Sequence, residues 1–168
     1  GALGIGSSNT TLKIGDHPSE MGDALQMLDF GEELAVTSLT VGYKHTCAIF
    51  SNGGVKCWGE SEYGKTGQGT TMDVVSADVD WIDFGDSFIQ TLKISAGEHS
   101  TCALQDDNEV RCWGRDFLGM LGRGTNGENM GDQPGEMAQD LIPVDFGTNR
   151  YATDLDSGEY HHCALLDN

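Results

Sequence analysis

Residues 41–59 read Val41-Gly42-Tyr43-Lys44-His45-Thr46-Cys47-Ala48-Ile49-Phe50, then Ser51-Asn52-Gly53-Gly54, then Val55-Lys56-Cys57-Trp58-Gly59. The same order returns as Ala96-Gly97-Glu98-His99-Ser100-Thr101-Cys102-Ala103-Leu104 with Val110-Arg111-Cys112-Trp113-Gly114. A third pass, Ser157-Gly158-Glu159-Tyr160-His161-His162-Cys163-Ala164-Leu165, stops at Asn168. The period is 55 residues from Cys47 to Cys102 and 61 from Cys102 to Cys163. The spacers repeat too. Gly1-Ala2-Leu3-Gly4-Ile5-Gly6 matches Gly64-Lys65-Thr66-Gly67-Gln68-Gly69 and Gly119-Met120-Leu121-Gly122-Arg123-Gly124. An Asp-Phe-Gly closes each spacer, at Asp29-Phe30-Gly31, Asp83-Phe84-Gly85 and Asp145-Phe146-Gly147.

Within a unit the apolar period is two, with Leu39 and Val41 on one side of a strand and Leu92 and Ile94 continuing the pattern. A hairpin follows. Gly53 and Asn108 fall at the loop position that needs a left-handed backbone, which both residue types tolerate. A fourth strand is expected near Leu25–Phe30, Asp80–Phe84 and Leu141–Phe146. Four short strands recurring at 55–61 residues point to an all-β fold, a partial β-propeller of about three four-stranded blades. The approximate units are 1–59, 60–114 and 115–168, with the chain beginning and ending inside a repeat. The opening at Gly1, without methionine, reads as a processed or partial piece. More blades, or neighbouring copies in an assembly, are expected to cover the open ends.

The pattern Gly-x-x-His-(Ser/Thr)-x-Ala-Leu, then Val-x-x-Trp-Gly and Gly-x-Leu-Gly-x-Gly, resembles the regulator-of-chromosome-condensation repeat. The resemblance implies a seven-bladed propeller. Thr66 stands where the pattern has Leu, and the second unit's histidine comes one residue early, at His99. The founding member is a guanine-nucleotide exchange factor and chromatin binder, which supplies the alternative function; a secreted bacterial inhibitor of β-lactamases resembles it too. Binding residues in such propellers lie on variable loops, so none is transferred.

Cys47 and Cys57, like Cys102 and Cys112, flank nine residues centred on a hairpin turn, so each pair sits directly across its ladder. Opposed residues of a non-hydrogen-bonded pair have Cα atoms about 4.5 Å apart, within disulfide reach. Disulfides are the first reading, with buried free thiols or zinc as alternatives. Cys163 matches Cys47 and Cys102, and its partner is expected beyond the chain end. Cross-hairpin disulfides place the protein in an oxidising compartment, secreted or on the cell surface. Asn9-Thr10-Thr11 is a glycosylation sequon, making Asn9 the acceptor in a eukaryotic host.

Acidic residues outnumber basic ones 27 to 9, a net charge of −18. Such a surface repels nucleic acid and anionic membranes, and suits cationic protein partners or divalent cations. No run of 18 apolar residues is present, so no membrane-spanning helix is expected. Gly59-x-x-x-x-Gly64-Lys65-Thr66 mimics a phosphate-binding loop, but its glycines belong to the repeat and Glu60 and Glu62 oppose a nucleotide. Gly122-x-Gly124-x-x-Gly127 precedes no helix and reads as a turn. His45, His99 and His161 recur by unit and read as structural; His17 and His162 show no partner. Ser100 beside His99 makes no dyad, because adjacent strand residues face opposite ways. Trp58 and Trp113 read as fillers of space between blades. Nothing converges as acid, base and nucleophile, and no cofactor is expected. The expected function is a non-enzymatic interaction or structural module, in a larger surface protein or filament. One element stands apart, Gly15-Asp16-His17-Pro18-Ser19-Glu20-Met21 and its repeat Gly131-Asp132-Gln133-Pro134-Gly135-Glu136-Met137. It reads as a short turn; the sharper alternative is a partner-contact or calcium loop using Asp16, Glu20 and Asp23, or Asp132, Glu136 and Asp140.

Overall fold

The computed structural model describes residues 1–7, 13–31, 33–85, 89–125, 127–138 and 140–168. Among the described residues, eight strands form three antiparallel sheets. Strands β1 (Val36–Val41), β2 (His45–Phe50) and β3 (Val55–Gly59) make the first blade. Strands β4 (Thr91–Ala96), β5 (Ser100–Gln105) and β6 (Val110–Gly114) make the second, and β7 (Ala152–Ser157) with β8 (His162–Leu166) the third. The repeat extends to irregularities: the register slips between Val36 and Ser38, Thr91 and Lys93, and Ala152 and Asp154. These are equivalent positions, so the bulge is part of the repeat. Gly53 (φ 77°) and Asn108 (φ 64°) take the expected left-handed conformation.

The register sets Cys47 opposite Cys57 and Cys102 opposite Cys112. Both pairs are bonded, each with Cα atoms 4.1 Å apart. Cys163 is exposed on β8 and makes no bridge among the described residues, its expected partner lying beyond residue 168. The sequon at Asn9 lies outside the described residues.

The fourth strand is a correction. Segments 25–30, 80–84 and 141–146 form no ladder in the structure. Two of them dock by one backbone bond to the preceding edge, Ile82 N–H to Val55 O (2.9 Å) and Val144 N–H to Val110 O (2.8 Å). Asp-Phe-Gly explains why pairing stops. The Asp29, Asp83 and Asp145 carboxylates accept from the Gly31, Gly85 and Gly147 N–H at 2.9, 2.8 and 2.8 Å. Those glycines have φ of 72°, 83° and 93°, so the motif is an Asx-type turn that bends the chain away from the ladder.

The blades join along their inner strands. Tyr43 N–H donates to Gly97 O (3.3 Å) and Glu98 N–H to Glu159 O (3.0 Å). A Cβ on Gly42 would lie 2.4 Å from Gly97 O, and one on Gly97 would lie 2.8 Å from Gly158 O. Glycine is therefore required where one blade's backbone meets the next.

Candidate interaction face and the joints beneath it

Under each of the first two hairpins lies the same clamp. The Trp58 indole and the Thr46 hydroxyl both donate to Ala2 O at 3.0 Å. In the second unit Trp113 (3.1 Å) and Thr101 (3.0 Å) donate to Lys65 O. Ala2 and Lys65 are equivalent, so each of these two blades grips the spacer turn through one carbonyl. A Cβ on Gly4 would sit 2.7 Å from the Trp58 indole nitrogen, and on Gly67 3.0 Å from that of Trp113. Phe30 and Phe84 pack against these indoles, with ring centroids 5.7 and 5.8 Å apart.

A histidine–hydroxyl pair crosses each joint. His45 Nε2 meets Thr101 Oγ1 at 3.0 Å. Since Thr101 gives its own hydrogen to Lys65 O, the neutral ring donates from Nε2. At the second joint the partners exchange sides: Ser100 occupies the position of His45, His162 that of Thr101, and they meet at 2.7 Å. Ser157 binds the other His162 nitrogen at 2.6 Å. His162 thus has two partners that sequence reasoning missed, and the early histidine at His99 is accounted for, because Ser100 takes over the joint. Ser100 is itself fully buried.

Burial pushes the His45 ring down to about 4, with nearby Lys65 and His99 adding to the effect and the Tyr43 carbonyl and Glu60 opposing it. His162 is held at about 4 by burial and by His161. A ring whose folded value is depressed stabilises the protein fully above its unfolded value of 6.5, and that stability is lost as pH falls toward about 4. For His45 this is on the order of 3 kcal/mol. The melting temperature of H45Q is expected to fall less than that of the parent across this window; parallel curves would contradict the assignment.

Lys65, the lysine of the phosphate-loop lookalike, is fully buried. Its ammonium donates to Glu60 Oε2 at 2.7 Å, and Lys44 donates to Glu60 Oε1 at 3.0 Å. Burial pushes the Glu60 carboxyl up, but the Lys65 and Lys44 hydrogen bonds outweigh it and hold it below the ordinary range. This lysine is committed to the repeat and reaches no phosphate.

Above the joints, the loops leaving β1, β3, β4, β6 and β7 share one end of the blades. Tyr63 and Tyr43 flank His99 with centroids 5.2 and 6.2 Å away. The Arg115 guanidinium lies 4.7 Å from the Tyr63 ring and 4.8 Å from Phe117, a geometry that holds the cation before any partner arrives. The Tyr160 hydroxyl is bonded by Glu98 and Glu159, which raises its pKa. Lys44, Tyr63 and Leu118 have φ of 60°, 63° and 55°. Three strained non-glycine residues on one face mark it as the candidate interaction surface.

The candidate calcium residues are not gathered into a site. Glu20 Oε2 accepts from the backbone N–H of Gly15 (3.0 Å) and His17 (3.3 Å). Glu136 Oε2 accepts from Gly131, Asp132 and Gln133 at 2.9, 3.0 and 3.0 Å. His17 caps the turn Pro18–Glu20. Asp132 receives Asn129, and Asp16, Asp23 and Asp140 join no cluster: among the described residues no three acids, histidines or cysteines are placed to hold a metal. The acids brace their own loops.

The Regulator of chromosome condensation (RCC1) repeat profile matches residues 36–65 and 92–119. The ultraviolet-B receptor UVR8 of Arabidopsis thaliana is 32% identical over 89 residues, 53% of this chain and 20% of that protein. The probable E3 ubiquitin-protein ligase HERC6 of Homo sapiens is 26% identical over 116 residues, 69% of this chain and 11% of that one. The chain therefore spans a fifth or less of either relative. Human WBSCR16 superposes with a TM-score of 0.65 at 24% identity, covering 84% of this chain and 33% of its own. Prp20p of Saccharomyces cerevisiae gives 0.60 at 20% identity, covering 77% and 30%. Those two show a shared fold. With the repeating hairpins, the tryptophan clamp and the profile match in register, the chain carries RCC1-type repeats in a partial β-propeller.

Proposed function

We propose that the chain is a non-enzymatic protein-interaction segment of a propeller working outside the cytoplasm, secreted or at the cell surface. The observation that carries the compartment is the pair of bridges, Cys47–Cys57 and Cys102–Cys112, since cysteines so placed stay reduced in a glutathione-rich cytosol. The interaction reading is supported by the loop face around Arg115, and by the precedent of Prp20p, whose structure was described with its binding to Gsp1p and histones. A net charge of −18 favours cationic protein surfaces over nucleic acid. Location tests the reading. In intact cells that make the protein, a membrane-impermeant amine-reactive reagent is expected to label the exposed Lys13. Labelling only after lysis would end the extracytoplasmic assignment.

A further inference from the structure

The second blade is flanked on both sides, joined by backbone bonds to the first and the third. Arg115 leaves its last strand at the position where the first blade has Glu60. The two positions are served differently. Glu60 is bonded by Lys44 and Lys65 at 3.0 and 2.7 Å. Around Arg115 the residues equivalent to those lysines are His99 and Met120, which offer it no anion. Among the described residues Lys44, Lys65, Lys93, Arg111 and Arg123 each pair with a carboxylate. Arg115 pairs with none, although the chain holds 27 acids. The open edge of the third blade is not the cause. Glu60 is reached from its own blade and from the spacer that follows, and makes no pair with Arg115 one unit further on. By the repeat, then, no residue past 168 is due at Arg115.

Aromatic rings hold this cation instead. Its guanidinium lies 4.7 Å from the Tyr63 centroid and 4.8 Å from that of Phe117, and Tyr63 itself packs edge-on against His99 at 5.2 Å. A guanidinium set against ring faces keeps its coplanar N–H edge free, and that edge takes a carboxylate through two parallel hydrogen bonds. Fixing the side chain beforehand lowers the ordering cost of binding. The surroundings carry the opposite sign. Glu62 is exposed beside Tyr63, and Glu98 Oε1 stands 3.5 Å from His99 Nε2.

Resting on the interaction-module reading, we propose that Arg115 anchors the loop face, and that its partner is a basic protein segment with one carboxylate, Glu or Asp, at its centre. The carboxylate docks on the free edge of the guanidinium beside Tyr63 and Phe117. The flanking Lys or Arg side chains of the partner face Glu62 and Glu98. A net charge of −18 draws in cationic partners of every kind, and the one reversed charge selects among them, because a cation placed there meets its like. Arg and Tyr are also the residues on which binding energy concentrates.

Fluorescence anisotropy with two labelled peptides reads the proposal. One peptide alternates Lys and Gly around a central Glu; the other has Gln in that place. The Glu peptide carries one positive charge fewer, so attraction to the chain's net charge alone favours the Gln peptide. The parent is nonetheless expected to bind the Glu peptide about tenfold more tightly, the scale of one charge-assisted hydrogen bond. R115Q is expected to reverse that order. R115K keeps the charge but loses the planar fork, and is expected to retain only part of the preference. A parent that favours the Gln peptide, or a Glu preference that survives in R115Q, overturns the proposal. Thermal melts verify folding; should R115Q unfold, an R115K preference equal to the parent's overturns it in its place. Two peptides bound alike would remove Arg115 as the anchor and leave the interaction reading standing, whereas a parent that binds neither strikes both.

Discussion

Trp113→Ala is expected to cost on the order of 3–5 kcal/mol in unfolding free energy, the range for emptying a buried tryptophan site. The side chain is fully buried. Its ring packs on Phe84 at 5.8 Å and lies against Gly67, whose lack of a Cβ makes room for it. Its indole N–H shares Lys65 O with Thr101. The substitution removes apolar contact and one donor to a buried carbonyl at the point where the second blade grips its spacer. Domains are stable by about 5–15 kcal/mol, so the variant is expected to be near the edge of folding. With about 2–4 °C per kcal/mol for a chain of this length, its melting temperature drops by on the order of 10 °C. Trp113→Phe keeps most of the packing but loses the hydrogen bond, which is worth about 1 kcal/mol. Urea titration ranks the two; an alanine variant no weaker than the phenylalanine one would mean that the clamp does not hold the blade.

The hairpins and their bridges were legible because the sequence states them three ways at once. The period puts Cys47 and Cys102 in register, the turn residues Gly53 and Asn108 centre each loop, and strand pairing then leaves the cysteines opposed. The fourth strand was misread because alternation alone, as in Leu141–Phe146, does not say where pairing ends. The decisive group is the Asp145 carboxylate, which captures the Gly147 N–H and turns the chain. The acids of the Asp-x-Pro loops admit a calcium alternative beside the turn reading, since a carboxylate in a glycine-rich loop is written the same way whether it binds a cation or its own backbone. Glu136, holding three N–H groups, does the latter. His162 was opaque for another reason. Its partners Ser100 and Ser157 belong to a neighbouring blade and strand, and the exchange of histidine and hydroxyl between positions hid the pairing from an alignment of units. In hindsight the shift of His99 by one residue was the signal, since it left a hydroxyl at the joint. The exposed loop face was not legible: Arg115 between Tyr63 and Phe117 depends on left-handed residues that no period announces.

The second large effect concerns the bridges. Each closes a short loop between strands already paired, and by the chain-entropy model contributes about 2–3 kcal/mol. Together they are expected to rival Trp113 as a source of stability, and the protein is expected to unfold at markedly lower urea in reductant. Stability that ignores reductant would mean that the bridges are ornaments on a blade complete without them. The proposed compartment rests on the same sulfur atoms, so their state inside the producing organism is the most direct measurement. Cells are quenched with an alkylating agent before lysis, and the protein is digested without reduction and mapped by mass spectrometry. Linked peptides carrying Cys47 with Cys57 and Cys102 with Cys112, with none of those four alkylated, are the predicted result. Alkylated thiols at all five cysteines would contradict it, and would return this propeller to the cytosol or nucleus.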